Sequence, residues 1–337
     1  MKTKKTSLAI LSGVLVVGAA ILMGPKPSTP ELTPKVQIET PMALSKLEDT
    51  LKQIDAEEGP IRPGNESKIE WINGVPEKTE YVVMYLHGFT ASPEEGAPVH
   101  RNFAKRYQAN LFLPRLQSHG LDVAKPMEDL TPENYLQSAK EALMIASHLG
   151  KKVVVMGCST GGTLALYLAA HNPELIHSVL LYSPNIKLAD PSAVLLTKPW
   201  GKNLAKAVLG SDMREVDLED GEKPYWYKKS SVNGLISMAS LVEHTMHEET
   251  FKSVKQPVFM GYFYENEDNQ DQVVSVEAMR EMFDQLGSEK KKQVAFPNVN
   301  AHVICSDICS DDYLSVEKAT FQFADSVLKM IASEEHQ

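Results

Sequence analysis

Lys151-Lys152-Val153-Val154-Val155-Met156-Gly157-Cys158-Ser159-Thr160-Gly161-Gly162 is the stretch from which the rest of the chain is best read. Two lysines lead into four apolar residues, the short unbroken run used by a strand buried on both faces. The run ends on Gly157-Cys158-Ser159-Thr160-Gly161, a G-x-S-x-G, and passes into a segment dense in Leu and Ala that reads as a helix. Strand, sharp turn and helix are the setting in which a serine hydroxyl is pushed outward from a strained backbone, the flanking glycines leaving room for the turn. By chance the five-residue pattern arises at roughly one position in 3,000, in about one chain of this size in ten. Alone it is weak, so the reading of Ser159 as a nucleophile and not a structural turn serine rests on its neighbours.

Outward from this stretch, strand and helix patterns alternate. Apolar strands are expected at 81–86, 110–114, 178–182, 257–263 and 292–296, and helices at 99–108, 132–149, 276–286 (with Ser275 as its N-cap) and 315–331. Such alternation implies an α/β fold with a mostly parallel, doubly wound sheet covered by helices on both faces. One segment breaks it. Residues 186–249 hold helical patches (195–209, 235–246) and the aromatics Trp200, Tyr225, Trp226 and Tyr227, but no strand pattern. A long insertion after a core strand, leaving on the side of the turn serine, reads as a helical cap over a pocket.

The N-terminus differs in kind. Met1-Lys2-Thr3-Lys4-Lys5 is basic and 7–23 almost wholly apolar, which reads as a signal anchor or, if cleaved, a signal peptide (1–23). The lysines would keep the N-terminus in the cytoplasm, placing the rest in a bacterial periplasm or at the cell surface, or secreted after cleavage. A Pro-rich linker follows (24–42), then a helix over 42–56 with Leu44, Leu47, Leu51 and Ile54 at helical spacing, within one domain spanning 43–337. The net charge of −10 and the lack of a basic patch with interleaved aromatics argue against a nucleic-acid partner.

A nucleophilic serine needs a base, a carboxylate to orient that base, and donors for the oxyanion. In a doubly wound sheet these sit in loops at the carboxyl ends of strands. Of ten histidines, His302 follows the last expected strand by a short loop and is the best base. The acid should follow the strand at 257–263. Asp271 is favoured because Val273 and Val274 return the chain to the core just after it, with Asp268 in reserve. His87-Gly88-Phe89-Thr90 follows the first strand, so the amides of Phe89 and Thr160 are the expected oxyanion donors, with His87 structural. The three cysteines are Cys158, expected buried, and Cys305 and Cys309, which could equally be a local disulfide or thiols; a zinc site with His302 lacks a paired cluster. No metal or cofactor is expected.

Leu86-His87-Gly88-Phe89-Thr90-Ala91-Ser92-Pro93-Glu94-Glu95, then Leu113-Pro114-Arg115-Leu116, His119-Gly120 and Gly157 to Gly162, resembles the α/β-hydrolase superfamily, and within it the carboxylesterase and monoacylglycerol lipase group. The resemblance runs from about Tyr81 to the C-terminus. It implies an ester-hydrolysing Ser159, Asp271, His302 triad and a small apolar ester or lipid-like substrate. The same triad also serves acyltransferases, thioesterases and peptidases, and the fold can be an inert tethered scaffold.

Overall fold

The computed structural model describes residues 23–38 and 42–333. All of the expected membrane segment but Met23 lies outside the described residues, and among these no helix is long and apolar enough to cross a membrane.

Seven strands form the main path of one sheet in the order β1 (Lys68–Glu70), β3 (Asn110–Leu113), β2 (Thr79–Leu86), β4 (Gly150–Cys158), β5 (Ile176–Tyr182), β8 (Val258–Asn266), β10 (Lys291–Phe296). All neighbours on it are parallel except the edge strand β1, and a two-residue strand, β9 (Asn269–Gln270), folds back antiparallel on β8. The valine run explains why β4 is central: Val153 and Val155 point into one core with Met84, Leu181 and Met260, while Val154 and Met156 point into the other with Tyr85, Leu180 and Phe259. A strand apolar at every position is stable only where both faces are covered. Helices supply that cover: α1 (Leu47–Glu58), α2 (Val99–Arg106), α3 (Pro132–Leu149), α4 (Thr160–His171), α8 (Val276–Gln285) and α9 (Tyr313–Phe323). Each of α3 and α8 begins at the cap its sequence offers, Thr131 accepting from Asn134 N–H (3.1 Å) and Ser275 from Ala278 N–H (3.1 Å).

Register sets the working edge. Leu86 pairs with Gly157, Cys158 with Tyr182 and Phe296 with Phe263, so β2, β4, β5, β8 and β10 all end on one side of the sheet. The segment after β5 contains a 3-10 turn (Pro191–Thr197), α5 (Gly201–Leu209), α6 (Val232–Thr245) and α7 (Glu248–Ser253). It also holds a two-stranded ribbon, β6 (Met213–Glu215) with β7 (Lys229–Ser231), where the sequence carried no strand pattern. These strands pair only with each other and are three residues long, too short for alternation to register.

Two features tie the N-terminal region down. Asp55 and Glu58 of α1 grip the buried Arg115 at 3.1 and 2.6 Å. Residues 24–38 carry no regular structure yet run along the surface: Val36 N–H donates to Asn172 Oδ1 (2.8 Å), Asn172 Nδ2 to Pro34 C=O (2.9 Å), and Trp200 N–H to Pro25 C=O (2.8 Å).

Candidate active site

Ser159 sits between β4 and α4 with φ 53° and ψ −123°, a conformation that L-residues avoid and that a surrounding structure must impose. Its N–H donates to Tyr182 C=O (3.0 Å), and its C=O accepts from Gly162 N–H (2.9 Å) and Asn185 N–H (2.9 Å). The glycines are obligatory for contact reasons: a Cβ on Gly161 would lie 1.9 Å from Leu86 O, and one on Gly157 2.6 Å from Gly161 O. Asn185 is a clamp that the sequence reading missed, its carbonyl also accepting from Thr163 Oγ1 (2.6 Å). Only its place just past β5 hinted at it.

Three chain-distant residues meet beside this turn. Asp271 is fully buried; its Oδ2 accepts from His302 Nδ1 (2.7 Å), and its Oδ1 accepts from Val273 N–H (2.8 Å) and Val274 N–H (3.1 Å). Asp268, the reserve, is exposed. Burial works to raise the Asp271 carboxyl, but the His302 charge, its hydrogen bond and the two amides outweigh it and hold the group below its ordinary 3.8. Burial likewise works against a charged His302, yet Asp271 and then Glu95 lift it above 6.5. The His302 side chain is 15% exposed, and its Nε2 makes no hydrogen bond among the described residues. With Nδ1–H turned to Asp271, Nε2 carries the free lone pair of the ring, and His302 shares one cavity with Ser159.

The first-strand loop completes the edge. His87 is buried, its Nε2 accepting from Leu116 N–H (3.1 Å) and its Nδ1 donating to Gly88 C=O (3.1 Å). Burial holds it near 4, so it stays neutral and structural. Gly88, Phe89 and Thr160 line the same cavity as Ser159 and His302. Thr160 is the first residue of α4, so its N–H has no acceptor inside the helix.

All three cysteines are free. Cys305 is buried 3.7 Å from Tyr85 Oη, and Cys309 Sγ lies 3.6 Å from Glu222 Oε1. Glu95, to which the sequence reading gave no role, lines the cavity and is 1% exposed. The cavity holds about 780 Å³; its other walls come from the cap, including Leu195, Leu204, Val208, Leu209 and Met238, and from the chain around Val273, Val303 and Ile308. The cap is joined to the first-strand loop by Tyr227 N–H donating to Thr90 C=O (2.9 Å).

Comparison with known proteins places this arrangement. The model of the family described as Serine aminopeptidase, S33, matches residues 78–307. The thermostable monoacylglycerol lipase of Bacillus sp. (strain H-257) is 30% identical over 165 residues, 48% of this chain and 62% of the relative. The matched region thus spans less than two thirds of that relative's length. Among solved structures, one from a study of LipS and LipT, two metagenome-derived lipolytic enzymes, superposes with a TM-score of 0.60 at 20% identity, over 78% of this chain and 98% of the other. A soluble variant of the Saccharomyces cerevisiae monoglyceride lipase in complex with a substrate analog gives 0.58 at 13% identity, over 93% and 100%. At such identities the structural likenesses speak to the fold alone. A family match covering every loop from the first-strand glycine to His302 carries the assignment: the chain has the α/β-hydrolase fold and belongs to the family described as Serine aminopeptidase, S33.

Proposed function

We propose that the protein is a serine hydrolase for carboxylic esters with an apolar acyl chain, short-chain esters or monoacylglycerols. The observation that carries this reading is the cavity, in which the strained Ser159 and His302 share a floor under walls of leucine, valine and methionine. Asp271 accepts from Nδ1–H of His302 and so keeps Nε2 as the basic nitrogen. Nε2 takes the Ser159 proton as Oγ attacks the ester carbonyl carbon. The resulting oxyanion is received by the N–H groups of Phe89 and Thr160. His302 then returns the proton to the departing alcohol, and water deprotonated by His302 releases the acid from the acyl-enzyme. The cap takes the acyl chain. The test is turnover of p-nitrophenyl esters from acetate to palmitate and of monoacylglycerols, against aminoacyl p-nitroanilides. Ester turnover exceeding anilide turnover is expected; the reverse would move the reading to a peptidase.

The proposal includes a membrane tether at 1–23 with the catalytic domain outside the cytoplasm, supported by the basic flank and apolar run of that segment. Pro25 C=O accepts from Trp200 N–H just before α5, whose exposed Leu204 and Val208 also line the cavity, so the tether would reach the domain at the cap. Alkaline extraction and protease accessibility of the full chain in intact and permeabilised cells test this. Release by alkali, or protection of the domain in spheroplasts, would contradict it.

A further inference from the structure

Glu94 and Glu95 are sequence neighbours in opposite settings. Glu94 meets Arg101 at the surface through two hydrogen bonds of 2.6 and 2.7 Å. Glu95 turns inward, where its Oε2 accepts from Gly88 N–H (2.8 Å) and from the Tyr85 hydroxyl (3.0 Å). A Cβ built on Gly88 would stand 2.9 Å from Glu95 Oε1 and 3.1 Å from Ser159 Cβ, so carboxyl and nucleophile flank the same glycine. The groups facing this carboxyl are Tyr85 of β2, Cys158 at the end of β4, Tyr135 of α3, and His302 and Cys309 from the chain after β10. Among the described residues no lysine or arginine pairs with it. A carboxyl buried without a lysine or arginine is costly to keep.

We propose that Glu95 is a positioning residue of the active site, fixing Gly88, the residue before the Phe89 amide, and setting its charge on the cavity that also holds the His302 imidazole. This rests on the reading of Ser159 and His302 as nucleophile and base. The peptide between Gly88 and Phe89 contains the expected oxyanion donor. His87 holds that peptide through Gly88 C=O, and Glu95 holds the peptide before it through Gly88 N–H, so Gly88 is fixed on both sides and the Phe89 N–H that follows it is aimed before substrate arrives. The second effect is electrostatic. Ionised Glu95 favours the imidazolium, which forms when His302 takes the serine proton; it also means that His302 gives up its own proton only at higher pH. Burial raises Glu95 itself to about 7, against the pull of the Gly88 amide, Tyr85, His302 and Cys158, so the protonation of each group bears on that of the other.

The sharpest test is the pH profile of kcat/KM on a soluble p-nitrophenyl ester for wild type, Glu95→Gln and Glu95→Ala. Glu95→Gln keeps an acceptor but loses the charge, so the acid limb should move down by about one pH unit and sharpen to one ionisation. Glu95→Ala should lower kcat by about tenfold or more with little change in KM, because the lost aim matters only once the oxyanion forms. Glu95→Gln should recover most of that loss. An unmoved acid limb in Glu95→Gln, or equal losses in kcat for the two variants, would overturn the proposal. The low-field proton resonance of His302 Nδ1–H, titrated in Ser159→Ala with and without Glu95→Gln, reads the same coupling without turnover. Its midpoint should fall when the charge is removed, and an unchanged midpoint again overturns the inference. In Ser159→Ala with Glu95 intact the resonance should carry a second inflection, so a single-step titration counts against the coupling even if the Gln variant does not fold. Should no ester be turned over, the hydrolase reading fails while this titration still decides the role of Glu95.

Discussion

The turn at Ser159 and the cap face each other across one cavity and are built on opposite terms. At the turn the Ser159 carbonyl and N–H are both bonded, and the glycines on either side would clash with backbone if they carried a Cβ. Across the cavity, α5 leaves Val208 78% exposed, and Val194, Leu195, Trp200, Leu204 and Leu209 are also open to solvent. One side is overdetermined, and the other presents apolar surface with little to hold it. Under the proposed hydrolase reading, rate would depend on the turn and choice of substrate on the cap: a reacting atom must be placed to within a fraction of an ångström, whereas an acyl chain needs only an apolar wall.

The largest effect should come from the overdetermined side. Ser159→Ala is expected to lower kcat by about 10⁴-fold or more with no loss of thermal stability, and His302→Ala by nearly as much, since triad members act as a unit. Substantial activity left in either variant would break the contrast at its root. Asp271→Asn should cost about 10³-fold or more, because an amide can hold His302 in the wrong tautomer.

A paired stability measurement tests the same asymmetry without catalysis. Gly161→Ala sets a methyl against Leu86 O and should cost about 3 kcal/mol or more by denaturant unfolding. Gly210→Ala at the end of α5 meets no atom within 4 Å and bears only its φ of 64°, so about 1 kcal/mol is expected. Similar costs would mean that the cap is packed as tightly as the turn.

Smaller again should be the effect of thinning the cap wall. Leu204→Ala is expected to lower kcat/KM for long-chain esters by about tenfold while changing acetate turnover little, the scale of a few methylenes in an apolar pocket. Equal losses on both would place Leu204 in the machinery and not in chain selection. The pH dependence of kcat/KM is the mildest probe. His302 acts as a base only when neutral, and Asp271 and Glu95 lift it above 6.5, so activity should fall on the acid side through a midpoint above that of an ordinary histidine. A midpoint below it would mean that desolvation outweighs the carboxylates.

What the sequence disclosed follows the same division. The β4 run and the turn glycines were legible because each is fixed by local rules; that Asp271 and His302 follow the ends of β8 and β10 was legible too, and the structure brings them together, the two valines after Asp271 supplying a core residue and the amides that bind its carboxylate. Glu95 was hidden because its spelling equals that of Glu94; only the turn at Pro93–Gly96 sends one to Arg101 and the other inward. The ribbon of β6 and β7 was missed for want of length. The docking of residues 24–38 was missed because proline-rich composition speaks of stiffness and not of the surface that takes it. Cys305 and Cys309 could not be paired or parted by spacing, and it is the fold that directs one to Tyr85 and the other to Glu222.

The central claim is that Ser159 is an activated nucleophile, and the direct measurement is intact-mass labelling of the full chain by a fluorophosphonate probe, wild type against Ser159→Ala. The account predicts a single adduct on wild type and none on the variant. A folded wild type that takes no adduct, or a variant that takes one, would contradict it.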